Sequence, residues 1–127
     1  DRLRQRSRDV LELASLTDRI DQLAGTLSGG EQRMLSMARV LVEAPPVLVA
    51  DELSLGLAPI VTDEIYATLE AIRASGTAML IVEQHVGHAL ALCDHVVLLD
   101  NGTVAWEGPA ADAADVVVSR LFDRSDG

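Results

Sequence analysis

The chain contains no lysine. Its ten basic side chains are all arginine, set against twenty acids, for a formal net charge of −10. The phosphate-cradling loop G-x-x-x-x-G-K-[ST] needs a lysine, so it is not present in these 127 residues. An acidic chain also repels a phosphate backbone. No basic patch or aromatic stacking platform offsets that repulsion, so no nucleic-acid partner is expected. Aromatic residues make up only 2% of a sequence that is 49% apolar. The core must therefore be aliphatic, as in α/β layers whose buried parallel strands are rich in Val, Ile and Leu. A single cysteine, Cys93, permits no internal disulfide and fits a reducing compartment. It lies in the apolar run HALALC and is expected as inert core. No apolar run approaches the length of a membrane span, and no signal peptide is expected.

What is present is ordered by punctuation. The opening DRLRQRSRD, with four arginines between two aspartates, reads as a solvated helix face, and apolar positions from Leu3 to Ala14 predict an amphipathic helix over 2–15. The chain begins at Asp1 in mid-helix pattern and without methionine, so a longer natural polypeptide is expected. Thr17 predicts a capped short helix through TDRIDQLA, ended by Gly25. Ser28 caps a longer helix over 29–44, with Met34, Met37, Ala38, Leu41 and Val42 at helical spacing and Pro45 and Pro46 as its stop. VLVA (47–50) and TAMLIVE (77–83) read as buried strands on either side of a helix that starts at Pro59 and ends before Gly76. A short helix follows over 84–93. The strands HVVLLD and TVAWEG are then joined by Asn101-Gly102, a tight-hairpin signal, and a last helix runs over 109–122. Two strand–helix units call for parallel strands with right-handed crossovers, and ligands in such sheets sit at the carboxyl ends of the strands. Asp51, Glu52, Glu83, Gln84 and His85 fall at those ends.

Three stretches have residues suited to chemistry. In VLVADE an apolar strand delivers two acids to a sheet edge. Asp51 can hold Mg²⁺, usually through water, and Glu52 can polarise a water for attack on a phosphate. A strand ending in two acids is also common, and the pair alone reads more readily as a cap of the next segment. In TLSGGEQR, Ser28 offers a hydroxyl, and Gly29 and Gly30 let backbone N–H groups approach an anion at the positive end of a helix. An ordinary cap accounts for Ser28, and for Glu31 as its capping-box partner, but not for two glycines in a first helical turn. Gln84 and His85 can touch a phosphate, or simply open a helix. His88 and His95 read as ordinary surface or helix-end residues, and the three histidines and Cys93 match no zinc spacing.

LSGGEQ followed by VLVADE, in this order and at this spacing, resembles the ATP-binding-cassette ATPases from about residue 1 to 122. SLGLAPI (54–60), VEQH (82–85) and LLDNGTVAWEGPA resemble one subgroup, the ATPase subunits of branched-chain amino-acid importers. The resemblance covers only the C-terminal half of such a domain. It implies an α/β fold: the C-terminal part of a P-loop NTPase core, with parallel strands and flanking helices. Residues 1–44 would be the end of the helical subdomain with the signature helix, residues 45–122 the ATPase core, and 123–127 a loose tail.

The cofactors implied are ATP and Mg²⁺. Ser28, Gly29 and Gly30 would contact the γ-phosphate of an ATP held by the opposite subunit, with Gln32 nearby. Asp51 would bind the Mg²⁺ shell and Glu52 would be the catalytic base. The switch-histidine position falls on Gln84, one residue before His85. Leu53 stands where a proline usually follows the glutamate, and Ala58 where many cassettes have an aspartate. The implied partners are a second ATPase subunit and membrane-spanning permease subunits, at the cytoplasmic face of the cell membrane. The full-length subunit would hydrolyse ATP, and this stretch alone, without the lysine loop, would not. The alternatives are a soluble cassette acting on DNA or ribosomes, and a non-catalytic stand-alone module.

Overall fold

The computed structural model describes residues 1–84 and 86–123, and the chain divides into two compact units, Asp1–Gln84 and His85–Gly127. The first unit opens with α1 (Arg2–Leu13), capped where the Asp1 carboxylate accepts the Leu3 N–H at 3.1 Å. The short helix expected after Thr17 does not form. Two 3₁₀ turns, Thr17–Arg19 and Ala24–Thr26, take its place, with Leu23 extended between them and Gly25 inside the second. Thr17 makes no side-chain cap, and Ile20 and Leu23 are exposed. A helix of two turns with no apolar face to bury has nothing to offset its nucleation cost.

Helix α2 (Gly29–Glu43) follows Ser28 and ends one residue early, at Ala44 in the left-handed region, before the two prolines. Met34, Met37 and Ala38 are buried as the spacing predicted, and Leu41 and Val42 are half-buried. Its start is a complete capping box. Ser28 Oγ accepts the Glu31 N–H at 3.2 Å, and the Glu31 carboxylate accepts the Ser28 N–H at 2.8 Å. Arg19 adds an ion pair to Glu31 at 3.1 Å.

Strand β1 (Val47–Asp51), helix α3 (Pro59–Ala74) and strand β2 (Ala78–Val82) form one strand–helix–strand unit. The strands pair in parallel, Val47 opposite Ala78 through Asp51 opposite Val82. Ile65, Leu69 and Ile72, the largest fully buried side chains, lie at i, i+4 and i+7 on α3. The strands are not buried on both faces as expected. Ala50 is buried and Leu48, Met79 and Ile81 are half-buried, but Val47, Val49, Leu80 and Val82 on the opposite face are 45–63% exposed.

The second unit holds α4 (Val86–Leu92), the strands β3 (His95–Asp100) and β4 (Thr103–Pro109), and α5 (Ala110–Asp123). Asn101 and Gly102 both have positive φ, 47° and 77°, as a type I′ hairpin turn requires. Helix α5 takes in Asp123, the first residue of the expected tail, and the rest of that tail lies outside the described residues. The expectation of β3 as a third strand of the parallel sheet is corrected. It pairs antiparallel with β4 in a separate two-stranded sheet, because the local turn supplies its partner. The hairpin carries a bulge at Ala105, with Leu98 opposite Trp106 but Leu99 opposite Val104. The Trp106 ring then lies 2.7 Å from where a Cβ on residue 108 would stand, so Gly108 fits beneath it. Cys93 is half-buried rather than core.

The two glycines that open α2 differ physically. A Cβ at Gly30 would meet Val61 Cγ1 of α3 at 2.9 Å, whereas one at Gly29 meets open space. Gly30→Ala is therefore expected to lower unfolding stability by about 1 kcal/mol, overpacking outweighing the gain in helix propensity. Gly29→Ala should be neutral or slightly stabilising, and paired denaturant titrations read the difference in sign. The Glu31 carboxyl is held below its ordinary value, first by the Ser28 N–H, then by the Ser28 hydroxyl and the Arg19 guanidinium. A depressed folded value means stability that is full above the ordinary glutamate range and is lost as pH falls through the folded value. Glu31→Gln is expected to lessen the loss of thermal stability on acidification through that range, read as the difference in Tm between the two proteins at neutral and acid pH.

Candidate functional site

Parallel pairing in register sends the carboxyl ends of β1 and β2 to one edge. Asp51, exposed, is the last residue of β1 and stands opposite Val82. The ladder runs one residue further, since the Glu52 N–H donates to the Val82 carbonyl at 2.8 Å. There the chain turns, with Glu52 at φ +48°. A residue with a Cβ occupies that region at a cost of about 1–3 kcal/mol and keeps it only where its surroundings over-determine it. The half-buried Glu52 carboxylate accepts a hydrogen bond from Gln84 Nε2 at 2.8 Å. The structure thus brings together two of the expected residues, one from the end of each strand. His85 lies outside the described residues.

Glu83 has a different task. One of its carboxylate oxygens accepts both the Ser54 N–H at 3.1 Å and the Ser54 hydroxyl at 2.9 Å, and Ser54 is only 6% exposed. The acid after β2 therefore clamps the turn after β1.

The second cluster is the start of α2. The capping box uses the Ser28 and Glu31 N–H groups. The Gly29 and Gly30 amides belong to the first helical turn, whose donors have no intrahelical acceptor. With open space around Gly29, an anion can approach the backbone there. The Gln32 side chain turns away, its Nε2 donating to the Leu27 carbonyl at 3.2 Å and the Ala24 carbonyl at 3.5 Å. Among the described residues no hydrogen bond or ion pair joins Ser28, Gly29 or Gly30 to Asp51 or Glu52. A groove of about 330 Å³ between α1 and α2, lined by Val10, Leu11, Leu35 and Ala38, holds none of these residues.

Among the described residues no group of three or more His, Cys, Asp or Glu is placed to hold a metal ion. A lone exposed carboxylate at Asp51 suits a cation that keeps most of its waters and shares its remaining ligands with a phosphate, as Mg²⁺ does.

Sequence reasoning missed Arg33 and Ser54. Arg33 Nη1 donates to the Leu53 carbonyl at 2.6 Å and the Leu55 carbonyl at 2.9 Å. The available signal was a charged residue beside Met34 and one turn before Met37, on the inward stripe of α2. Ser54 gave none, since a serine in a loop reads as solvated.

A protein-family model described as ABC transporter matches residues 2–54. The high-affinity branched-chain amino acid transport ATP-binding protein BraG of Pseudomonas aeruginosa is 44% identical over 103 residues, covering 80% of this chain and 44% of that protein. The phosphonates import ATP-binding protein PhnC of Staphylococcus epidermidis is 33% identical over 118 residues, 92% of this chain and 46% of the relative. The methionine import ATP-binding protein MetN of Pasteurella multocida is 31% identical over 113 residues, 88% and 33% of the two chains. Among solved structures, a nucleotide-free ATP-binding cassette from an ABC transporter superposes with TM-score 0.77 at 28% identity, covering 94% of this chain and 47% of that one. The ADP conformation of the cassette MJ1267 gives TM-score 0.73 at 27% identity, with 95% and 50% covered. The chain spans about half the length of these relatives or less, and over that span its sequence and fold match the ATP-binding cassettes of ABC transporters.

Proposed function

We propose that this chain is the C-terminal half of the ATP-hydrolysing subunit of an ABC importer, and that Glu52 is its general base. The observation that carries this reading is the meeting of Glu52 and Gln84 at the carboxyl edge of β1 and β2, with Asp51 beside them. A half-buried carboxylate on a fixed backbone can orient and deprotonate a water, and the Gln84 amide directs one of its oxygens. Asp51 would hold the Mg²⁺ shell, and the metal would neutralise charge on the phosphates being cleaved. Ser28, Gly29 and Gly30 would contact a phosphate of a nucleotide held by a second ATPase subunit, with Gln32 near it. That no hydrogen bond or ion pair among the described residues joins Ser28, Gly29 or Gly30 to Asp51 or Glu52 supports their serving different nucleotides.

The solute is a branched-chain amino acid in this reading. The SLGLAPI and VEQH segments and the 44% identity to BraG support it. The partners are a second cassette and membrane-spanning permease subunits. The location is peripheral, at the cytoplasmic face of the membrane, and no helix among the described residues is long and apolar enough to cross a membrane. Gln84, or His85 beside it, would sense the γ-phosphate.

In the complete subunit, Glu52→Gln is expected to abolish steady-state hydrolysis while leaving Mg-ATP binding intact. Unchanged turnover would remove Glu52 from the role. Residues 1–127 alone, lacking a phosphate-binding lysine, are expected neither to bind Mg-ATP tightly nor to turn it over. A titration of that polypeptide with a fluorescent nucleotide tests this, and tight saturable binding would show that the grip lies within these residues.

A further inference from the structure

The turn that carries Glu52 is held from outside rather than by its own bonds. Its internal hydrogen bonds, Leu55 N–H to the Glu52 carbonyl and Leu57 N–H to the Ser54 carbonyl, are both long at 3.2 Å. The short contacts come from elsewhere: Val82 on Glu52, Glu83 on Ser54, and Arg33 on Leu53 and Leu55. Among the described residues, every hydrogen bond between α2 and residues 52–55 is made by Arg33. Its guanidinium bridges two carbonyls on either side of Ser54, which Glu83 clamps separately. Arg33 stands one turn into the helix whose first residues are Gly29 and Gly30.

We propose that Arg33 is a positioning residue for hydrolysis, fixing the backbone from which Glu52 projects and tying it to the Ser28–Gly30 end of α2. The inference rests on the reading of Glu52 as general base. The left-handed conformation at Glu52 costs free energy and relaxes unless neighbours hold it. Without the two charge-assisted bonds on Leu53 and Leu55 the turn loses its restraint on the α2 side, and the carboxylate leaves its place against Gln84. Conversely, a shift of α2 when an anion settles on Gly29 is passed by the rigid guanidinium to the turn. Both bonds leave the one Nη1 nitrogen, whose N–H groups are fixed in the guanidinium plane, so a lysine ammonium on its flexible stem copies them only in part.

The test uses the complete ATPase subunit with Arg33→Met, which keeps the apolar stem and removes the donors, beside Arg33→Lys and Glu52→Gln. Arg33→Met is expected to lower kcat about 10- to 100-fold while Mg-ATP affinity and KM stay within about twofold, because the loss is one of geometry. Arg33→Lys should recover part of kcat, and amide hydrogen exchange at residues 53–57 should quicken in Arg33→Met without ATP. Wild-type turnover in Arg33→Met overturns the proposal, as do equal losses in the Met and Lys variants accompanied by lost affinity and a lowered Tm, which would be the mark of a merely structural brace. If Arg33→Met does not fold, wild-type turnover in Arg33→Lys overturns it instead. An inactive Glu52→Gln beside an active Arg33→Met refutes Arg33 alone, whereas an active Glu52→Gln refutes the base and with it the proposal.

Discussion

The parallel pairing of β1 with β2 is the constraint on which the candidate site depends. Five residue pairs in register bring two strand ends, thirty-one positions apart in sequence, to one edge. The Glu52 N–H extends the ladder by one bond to Val82 before the chain departs. Everything chemical at this edge follows from that register. A slip of one residue would turn Asp51 to the other face of the sheet and take Gln84 out of reach of Glu52. Hydrophobic alternation specifies the register only in part, since Val47, Val49, Leu80 and Val82 make the open face as apolar as the covered one. Side chains supply the rest. Thr77 bonds the Pro45 carbonyl at the amino ends of the strands, and Glu83 holds Ser54 at the carboxyl ends.

The distribution of arginine shows how a chain without lysine uses its cations. Four of the ten lie at alternating positions along α1, where all are exposed to solvent. Arg19 braces the capping box and Arg39 pairs with Glu43 one turn away. Arg33 alone among these is directed at backbone carbonyls of a distant turn. A fixed charge whose N–H groups are held in one plane suits that task better than a flexible ammonium.

Much of this was legible in the sequence because the relevant forces are local. The Ser28–Glu31 spacing specified a capping box and the box is complete. Asn101-Gly102 specified a hairpin and both residues take positive φ. Asp51, Glu52 and Gln84 were placed at one sheet edge from strand order alone. What escaped depends on neighbours distant in sequence. The 17–24 segment has helical residue types but no surface to bury them against, so only a 3₁₀ turn forms at its start, and a second follows at Ala24–Thr26. Gly30 looked like a device for anion approach, yet it also makes room for Val61, thirty-one positions along the chain. Arg33 ends TLSGGEQR and Ser54 opens SLGLAPI, but neither motif names their partners: Arg33 meets backbone carbonyls, which every residue has, and Ser54 meets an acid twenty-nine positions on.

The conformation of Glu52 sets two demands against each other. Glycine, asparagine or aspartate would rest in that backbone region with less strain. None of them extends as far as glutamate, whose carboxylate meets the Gln84 amide at 2.8 Å. Position 52 thus favours reach over backbone ease, and substitutions there cannot improve one without giving up the other. Residues that relax the turn shorten the arm, and the one isostere that keeps the arm, glutamine, keeps the strain as well. A sequence drifting towards greater stability at this turn would therefore drift away from any chemistry that depends on the carboxylate.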